Sequence, residues 1–218
     1  MSARSRIMIV DDHPIFRKGL AQLIGEEPDM EVCGEAEDVP GAKRLFSQLR
    51  PDMAVIDLGL KGASGLELIR YIHDLSPSCP VLVLSMYDET VYAERVLKAG
   101  ARGYIMKQEM TAKVTTAIRQ VLKGRMFFSE DIVEGFLGRM SRDGEAGPPD
   151  PVSLLSDREL EVFTLIGKGL GRAEMAGMLN VSIKTIGTYR EKIKEKLRIR
   201  TSPELARRAV EWVRSQEG

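Results

Sequence analysis

Along the first 125 positions the hydrophobic pattern changes period repeatedly, and that alternation predicts the architecture. Short apolar runs occupy 6–10, 30–34, 53–57, 80–84 and 103–106; between them apolar residues recur at three- and four-residue spacing over 14–25, 40–49, 64–75, 88–99 and 110–123. Continuous apolar strands alternating with amphipathic helices imply a parallel sheet covered on both faces, so residues 1–125 are expected to form an α/β, (βα)5 doubly wound domain. Residues 128–140 offer one more short helix. The stretch 141–151 is rich in Asp, Gly and Pro, so 126–150 reads as a linker that carries that helix.

Beyond position 150 the strands do not return. Ser156 can cap a helix, Glu159 can close a capping box, and Leu155 can staple onto Leu160. Gly167 and Gly169 end that helix. Further helices are expected over 172–179, over 183–197 with Ser182 as cap, and over 204–214 after Pro203. Asn180, Val181 and Ser182 alone join the second to the third, which is the tight connection of a helix-turn-helix. Residues 151–218 therefore form a small all-α, four-helix domain.

Composition adds little except where charge divides. Net charge is zero, yet residues 1–150 carry 19 basic and 23 acidic side chains, a balance of −4, and residues 151–218 carry 13 and 9, a balance of +4. Residues 184–200 hold seven basic and two acidic side chains, which suits a polyanion, although a solvated helix face explains the same run. No run of 18 apolar residues and no apolar secretory core appear, so a cytoplasmic location without membrane association is expected. Cys33 and Cys79 stand far apart without metal-ligand spacing and read as buried thiols.

The chemistry concentrates at strand ends. Ile7 to Val10 run into Asp11 and Asp12, and Met53 to Ile56 run into Asp57. In an open parallel sheet the carboxyl ends of neighbouring strands face one crevice, so the three carboxylates can converge. Crowded carboxylates repel and invite a hard divalent cation, most naturally Mg²⁺. Walker, dinucleotide-binding and zinc motifs are absent from the sequence.

The segments IMIVDDHPIFRKGL, VIDLGLKGASGLELI, VLVLSMYDE and KAGARGYIMK resemble a response-regulator receiver domain. LSDRELEVFTLIGKGLGRAEMAGMLNVSIKTIGTYREKIKEKL resembles the LuxR-type helix-turn-helix of the NarL/FixJ family. The resemblance implies that Asp57 takes a phosphoryl group from the phosphohistidine of a sensor histidine kinase. It also implies that Asp11, Asp12, Asp57 and the backbone carbonyl of Gly59 hold Mg²⁺. Lys107 and Ser85 would contact the phosphoryl group, and Tyr104 would be the aromatic that changes place with the switch. His13 is expected beside the acidic pair or on the surface, and His73 on the surface. Leu60 and Lys61 stand where many receivers have Met-Pro, so this loop lacks proline's rigidity.

The third helix of the second domain is expected to enter the major groove of an operator. Ile186, Ile193 and Leu197, with Tyr189 or Arg190, form its inward stripe; Lys184, Gly187, Thr188, Glu191, Lys194 and Arg198 recur on the other face. Lys184, Lys194 and Arg198 suit phosphates, Thr188 and Glu191 suit base edges, and Thr185 suits a phosphate. Family members often carry lysine where this chain has Gly187 and Glu191, which points to a distinct operator. The last helix supplies bundle core, or in part a homodimer face.

The expected function is a two-component response regulator, not a dedicated enzyme, in which phosphorylation of Asp57 gates dimerisation and sequence-specific binding to double-stranded DNA. RNA polymerase is a further candidate partner. A phosphorylation-independent DNA-binding protein is the second reading, opposed by the full set Asp11, Asp12, Asp57, Ser85 and Lys107. A Mg²⁺-dependent phosphatase of the haloacid-dehalogenase type is the third, opposed by Gly59 where that chemistry wants an acid.

Overall fold

The structure, a computed structural model, describes residues 4–60, 63–140 and 150–216, and the main chain alone of 136–140. Lys61 and residues 141–149 of the expected linker lie outside the described residues. The chain divides between Val133 and Glu134 into two compact units. In the first, β1 (Ser5–Val10), α1 (Pro14–Gly25), β2 (Met30–Ala36), α2 (Val39–Leu49), β3 (Met53–Ile56), α3 (Gly65–Leu75), β4 (Val81–Ser85), α4 (Glu89–Lys98), β5 (Gly103–Met106) and α5 (Met110–Leu122) follow in order. The strands pair in parallel as β2-β1-β3-β4-β5, the doubly wound sheet expected from the periodicity.

The inner strands read as continuous apolar runs because both faces are covered, whereas β2 at the edge keeps Glu31 and Glu35 exposed. Ile7, Ile9, Val55, Leu82, Leu84 and Ile105 point into one core with α1 and α5. The alternate residues Met8, Val10, Ala54, Ile56 and Val83 are equally buried on the opposite face, where α2 packs on β2 and α4 on β5. Strand order reverses at β1, so a crevice opens beyond the carboxyl ends of β1 and β3. The ladder continues one residue into that crevice on both strands. Asp57 N–H donates to Val10 O at 2.8 Å, and Asp11 N–H to Ala36 O at 3.1 Å.

The second unit is helical throughout its described residues. It contains most of α6 (Glu130–Met140), then α7 (Asp157–Gly167), α8 (Arg172–Met178), α9 (Ile183–Lys196) and α10 (Ser202–Gln216). The capping box is present: Ser156 Oγ accepts from Glu159 N–H and Glu159 Oε2 accepts from Ser156 N–H. Lys196 Nζ reaches the same Glu159 Oε2 at 2.6 Å, tying the end of α9 to the start of α7. Gly167, expected only as a helix end, also permits close packing: a Cβ there would lie 2.6 Å from Ala209 O of α10.

Some details differ from the sequence expectation. Asp150, placed in the linker, accepts from the Trp212 indole at 2.9 Å and caps the turn Pro151–Leu154, so it belongs with the helical unit. Leu197 and Arg198 lie past the end of α9, because Arg198 takes a left-handed φ of 56° that stops the helix. Cys33 is half-buried and only Cys79 is buried; both thiols are free.

Candidate functional site

Three carboxylates occupy the crevice. Asp11, Asp12 and Asp57 are 3%, 4% and 3% exposed, and Lys107, one residue past β5, is 3% exposed. Lys107 Nζ lies 2.7 Å from Asp57 Oδ2 and 2.7 Å from Asp11 Oδ2, with the Phe16 ring 4.7 Å away. Gly59 N–H donates to Asp57 Oδ1 at 3.2 Å, which turns the β3–α3 loop over the carboxylate. On the other side Gly65, first residue of α3, packs on the Asp57 main chain: a Cβ there would sit 2.2 Å from Asp57 O.

His13 is part of this cluster rather than a bystander. Its N–H donates to Asp11 Oδ1 at 2.8 Å, and its Nδ1 lies 2.7 Å from Asp12 Oδ1 and 3.8 Å from Asp57 Oδ2. Its adjacency to the acidic pair was the available signal. His73 is exposed, as expected.

The electrostatics separate the three acids. Burial, then the charge of Asp57, pushes Asp11 above the usual carboxylate range, with Lys107 opposing. Burial likewise raises Asp12, with His13 opposing and the other two carboxylates adding to the rise. Asp57 goes the other way: burial acts to raise it, but His13 and Lys107 together hold it below the usual value. The Asp57 carboxylate raises His13 most, against burial. The residue kept ionised is therefore Asp57, while in Asp11 and Asp12 burial and mutual repulsion outweigh the attraction of Lys107 and His13.

That imbalance fits a hard divalent cation. Asp11, Asp12, His13 and Asp57 each offer one ligand atom within 4.8 Å of the others, and three of the four are carboxylates. Gly59, by its N–H contact, also brings main chain to the same place.

Ser85 and Tyr104 meet through a residue that the sequence reading missed. Ser85 is fully buried and its Oγ accepts from Tyr87 N–H at 3.3 Å; the Tyr104 hydroxyl donates to Tyr87 O at 2.8 Å. Tyr104 is 2% exposed, and its ring is turned inward. Tyr87 itself stacks on Tyr92 of α4 with centroids 5.0 Å apart. Nothing in its sequence position beyond nearness to Ser85 announces that role.

On α9, Ile186 and Ile193 are fully buried while Lys184, Thr188 and Glu191 are exposed, and Gly187 and Lys194 lie between. Lys194 Nζ pairs with Glu191 Oε2 at 2.8 Å, and Thr188 Oγ1 donates to Lys184 O at 3.2 Å. Thr185 N–H donates to Ser182 Oγ at 3.0 Å as part of the cap. Arg198, expected on the same helical face, sits beyond the helix end and reaches outward from the turn. Asn180, with φ of 50°, closes the tight turn between α8 and α9.

A parallel sheet with buried acids and a lysine at its switch point, followed by a helix-turn-helix, defines a signalling protein built from a receiver and a DNA-binding unit. Residues 7–119 match the response regulator receiver domain, and residues 153–209 match the bacterial regulatory proteins of the luxR family. The chain is 34% identical over 210 residues to the oxygen regulatory protein NreC of Staphylococcus epidermidis, covering 94% of this chain and 96% of that protein. Identity to the NreC of Staphylococcus aureus is 36% over the same coverage. Among solved structures, Salmonella typhimurium RcsB is similar at TM-score 0.64 and 26% identity, covering 96% of this chain and 98% of that one. RcsB bound to promoter rprA with a phosphomimetic matches at 0.59 and 27%, covering 94% and 97%. A LuxR-family response regulator from Aurantimonas sp. SI85-9A1 matches at 0.58 and 36%, covering 64% and 100%. The chain belongs to the NarL/FixJ-type response regulators, which join a receiver to a LuxR-type DNA-binding domain and regulate transcription. Among the described residues no helix is long and apolar enough to cross a membrane.

Proposed function

We propose that Asp57 is the phosphoacceptor of this response regulator and that its phosphorylation by a sensor histidine kinase gates binding to operator DNA. The observation that carries the reading is the buried constellation itself: Asp57 held ionised by His13 and Lys107 at the end of β3, beside two further acids that burial and mutual repulsion push above the usual carboxylate range. A carboxylate oxygen of Asp57 attacks phosphorus, a P–O bond forms, the P–N bond to the kinase imidazole breaks, and that imidazole nitrogen takes up a proton. Asp11, Asp12, Asp57 and the Gly59 carbonyl would hold Mg²⁺, which supplies charge neutralisation at the transferring phosphoryl oxygens. Lys107 bridges Asp57 and Asp11 at rest and passes to the phosphoryl group afterwards. Ser85 turns its hydroxyl to a phosphoryl oxygen, and Tyr104, whose ring is already turned inward beside it, is held or released according to where Ser85 stands.

The DNA contacts follow from exposure. Lys184, Thr188 and Glu191 face outward for the major groove, with Thr185, Gly187 and Lys194 flanking them and Arg198 reaching a phosphate from the turn. The Glu191–Lys194 pair must open or be shared with DNA for both to contribute. The phosphorylated form acts as a homodimer on two half-sites, with RNA polymerase as a candidate partner. It works in the cytoplasm and turns over no substrate beyond its own phosphoryl group.

Intact mass and elution volume after incubation with Mg²⁺ and acetyl phosphate test this. One phosphoryl adduct on wild type and none on Asp57→Asn, with earlier elution for the adduct, is expected. No adduct on either protein, together with unchanged binding to DNA, would move phosphorylation-independent DNA binding to first place.

A further inference from the structure

After α5 the chain does not leave the first unit directly. It returns along the outer edge of β5, where Tyr104 N–H donates to Phe127 O at 2.8 Å and Phe127 N–H donates to Arg102 O at 2.9 Å. Gly103 and Phe127 form a parallel bridge, and the Phe127 side chain packs against the core shared by α1, α5 and the sheet. The approach depends on Gly103: a Cβ there would lie 2.9 Å from Phe127 O and 3.1 Å from Phe127 Cβ. Immediately before α6, Ser129 N–H donates to Oε1 of Glu89, the first residue of α4, at 3.0 Å. Burial pushes the Glu89 carboxyl up and the Ser129 donors draw it back, so this contact is partly withdrawn from water.

Both anchors sit on stretches that the proposed switch displaces. The Ser85 hydroxyl is held by Tyr87 N–H, the Tyr104 hydroxyl by Tyr87 O, and Glu89 follows Tyr87 by two residues. When Ser85 turns toward a phosphoryl oxygen, Tyr87 loses its acceptor, and the start of α4 is freed with it. Tyr104, whose hydroxyl donates to Tyr87 O, is also the strand residue whose N–H holds Phe127, so a shift of Tyr87 bears on both. Six residues, Ser85, Tyr87, Glu89, Tyr104, Phe127 and Ser129, thus connect the crevice to the first turn of α6 through four hydrogen bonds and the two-residue step from Tyr87 to Glu89, and each bond can break without unfolding the core.

We propose that residues 125–129 are a docked strap on the β5 edge and on Glu89 that reports the state of Asp57, held at rest and released on phosphorylation, so that α6 passes the change toward the DNA-binding unit. This rests on the phosphorylation reading above. A released strap leaves the β5 edge unpaired, which makes release costly unless the switch compensates it. That gives two states with a defined difference in contacts, as transmission requires.

The test is amide hydrogen exchange on the full-length protein, with and without acetyl phosphate and Mg²⁺, the phosphorylated fraction being counted by intact mass. In wild type the Phe127 and Ser129 amides are expected to exchange at least tenfold faster in the phosphorylated form. Ser129→Pro deletes the donor to Glu89 at a helix start that tolerates proline, and Gly103→Ala crowds Phe127. In both, exchange of the Phe127 amide at rest should match phosphorylated wild type, proline at 129 having no amide to read. The ratio of phosphorylated to resting affinity for a duplex selected from a random library should fall tenfold or more, through tighter binding at rest. An adduct on Asp57 with unchanged strap exchange overturns the strap alone, as does a preserved affinity ratio in a variant whose strap exchanges fast. Absence of any adduct overturns the strap together with the phosphorylation reading.

Discussion

Replacing Asp12 by asparagine should make the first unit more stable without metal and insensitive to Mg²⁺. Its carboxylate lies within 4.8 Å of those of Asp11 and Asp57. At an effective dielectric near 20, each such pair of charges repels by roughly 3.5 kcal/mol. The contact to His13 at 2.7 Å offsets some of this, but the His13 side chain is 51% exposed, so that pair contributes under about 1 kcal/mol. Attraction to Lys107 offsets less still. Sharing of protons among the three acids lowers the repulsion actually present, and a relief of at least about 2 kcal/mol remains, equivalent to a rise in Tm of roughly 6–10 °C or more for a unit of this size. The raised Asp12 carboxyl states the same penalty: a folded pKa above the unfolded one means that ionisation disfavours the fold. If Mg²⁺ is the cation held, wild type should recover the loss on binding it, by about 2.7 kcal/mol at a hundredfold excess over Kd. Urea unfolding in EDTA and in excess Mg²⁺ should be followed by tyrosine near-ultraviolet dichroism, since four of the five tyrosines lie in the first unit and the single Trp212 in the second. An Asp12→Asn variant less stable than wild type in EDTA, or equally stabilised by Mg²⁺, would refute the reasoning.

Other outcomes follow from particular contacts. Gly65→Ala places a Cβ against Asp57 O and should cost about 1–3 kcal/mol in stability and slow phosphorylation by acetyl phosphate at least tenfold, read by urea unfolding and by intact mass. Glu159 is pulled up by burial but held below its usual value by Lys196 and the Ser156 donors, so its stabilisation is present above about pH 4.5 and fades as pH falls through the lowered folded value. Glu159→Gln should therefore cost about 1–3 kcal/mol at pH 7 and progressively less below pH 4.5 by Trp212 fluorescence. Thr188→Ala should weaken binding to a selected operator about fivefold or more while leaving binding to random DNA unchanged, in titrations at one stated salt concentration.

The sequence carried the architecture well because β3 and β4, with most of β1 and β5, are buried on both faces and each helix on one, so the period of the apolar positions reports the fold directly, β2 at the edge being the exception. Asp11, Asp12 and Asp57 were legible for a related reason: strand ends in a parallel sheet converge wherever the strands are placed correctly; Ser85 and Lys107 came from the resemblance to receivers. Tyr87 and Glu89 were not, because their parts depend on side-chain direction and on loop paths that periodicity does not encode; His13, expected beside the acidic pair or on the surface, is both. Arg198 was misplaced since a helical wheel has no term for the left-handed residue that ends a helix. Asp150 was counted as linker by composition, yet one carboxylate bonded to an indole assigns it to the bundle.

The measurement that bears most directly on the central claim is affinity for one selected duplex, at fixed salt, of wild type and Asp57→Asn before and after treatment with Mg²⁺ and acetyl phosphate. Phosphorylated wild type should bind at least tenfold more tightly than resting wild type, while Asp57→Asn stays at the resting value under both conditions. Equal affinity for all four samples, with the adduct confirmed on wild type, would contradict the gate.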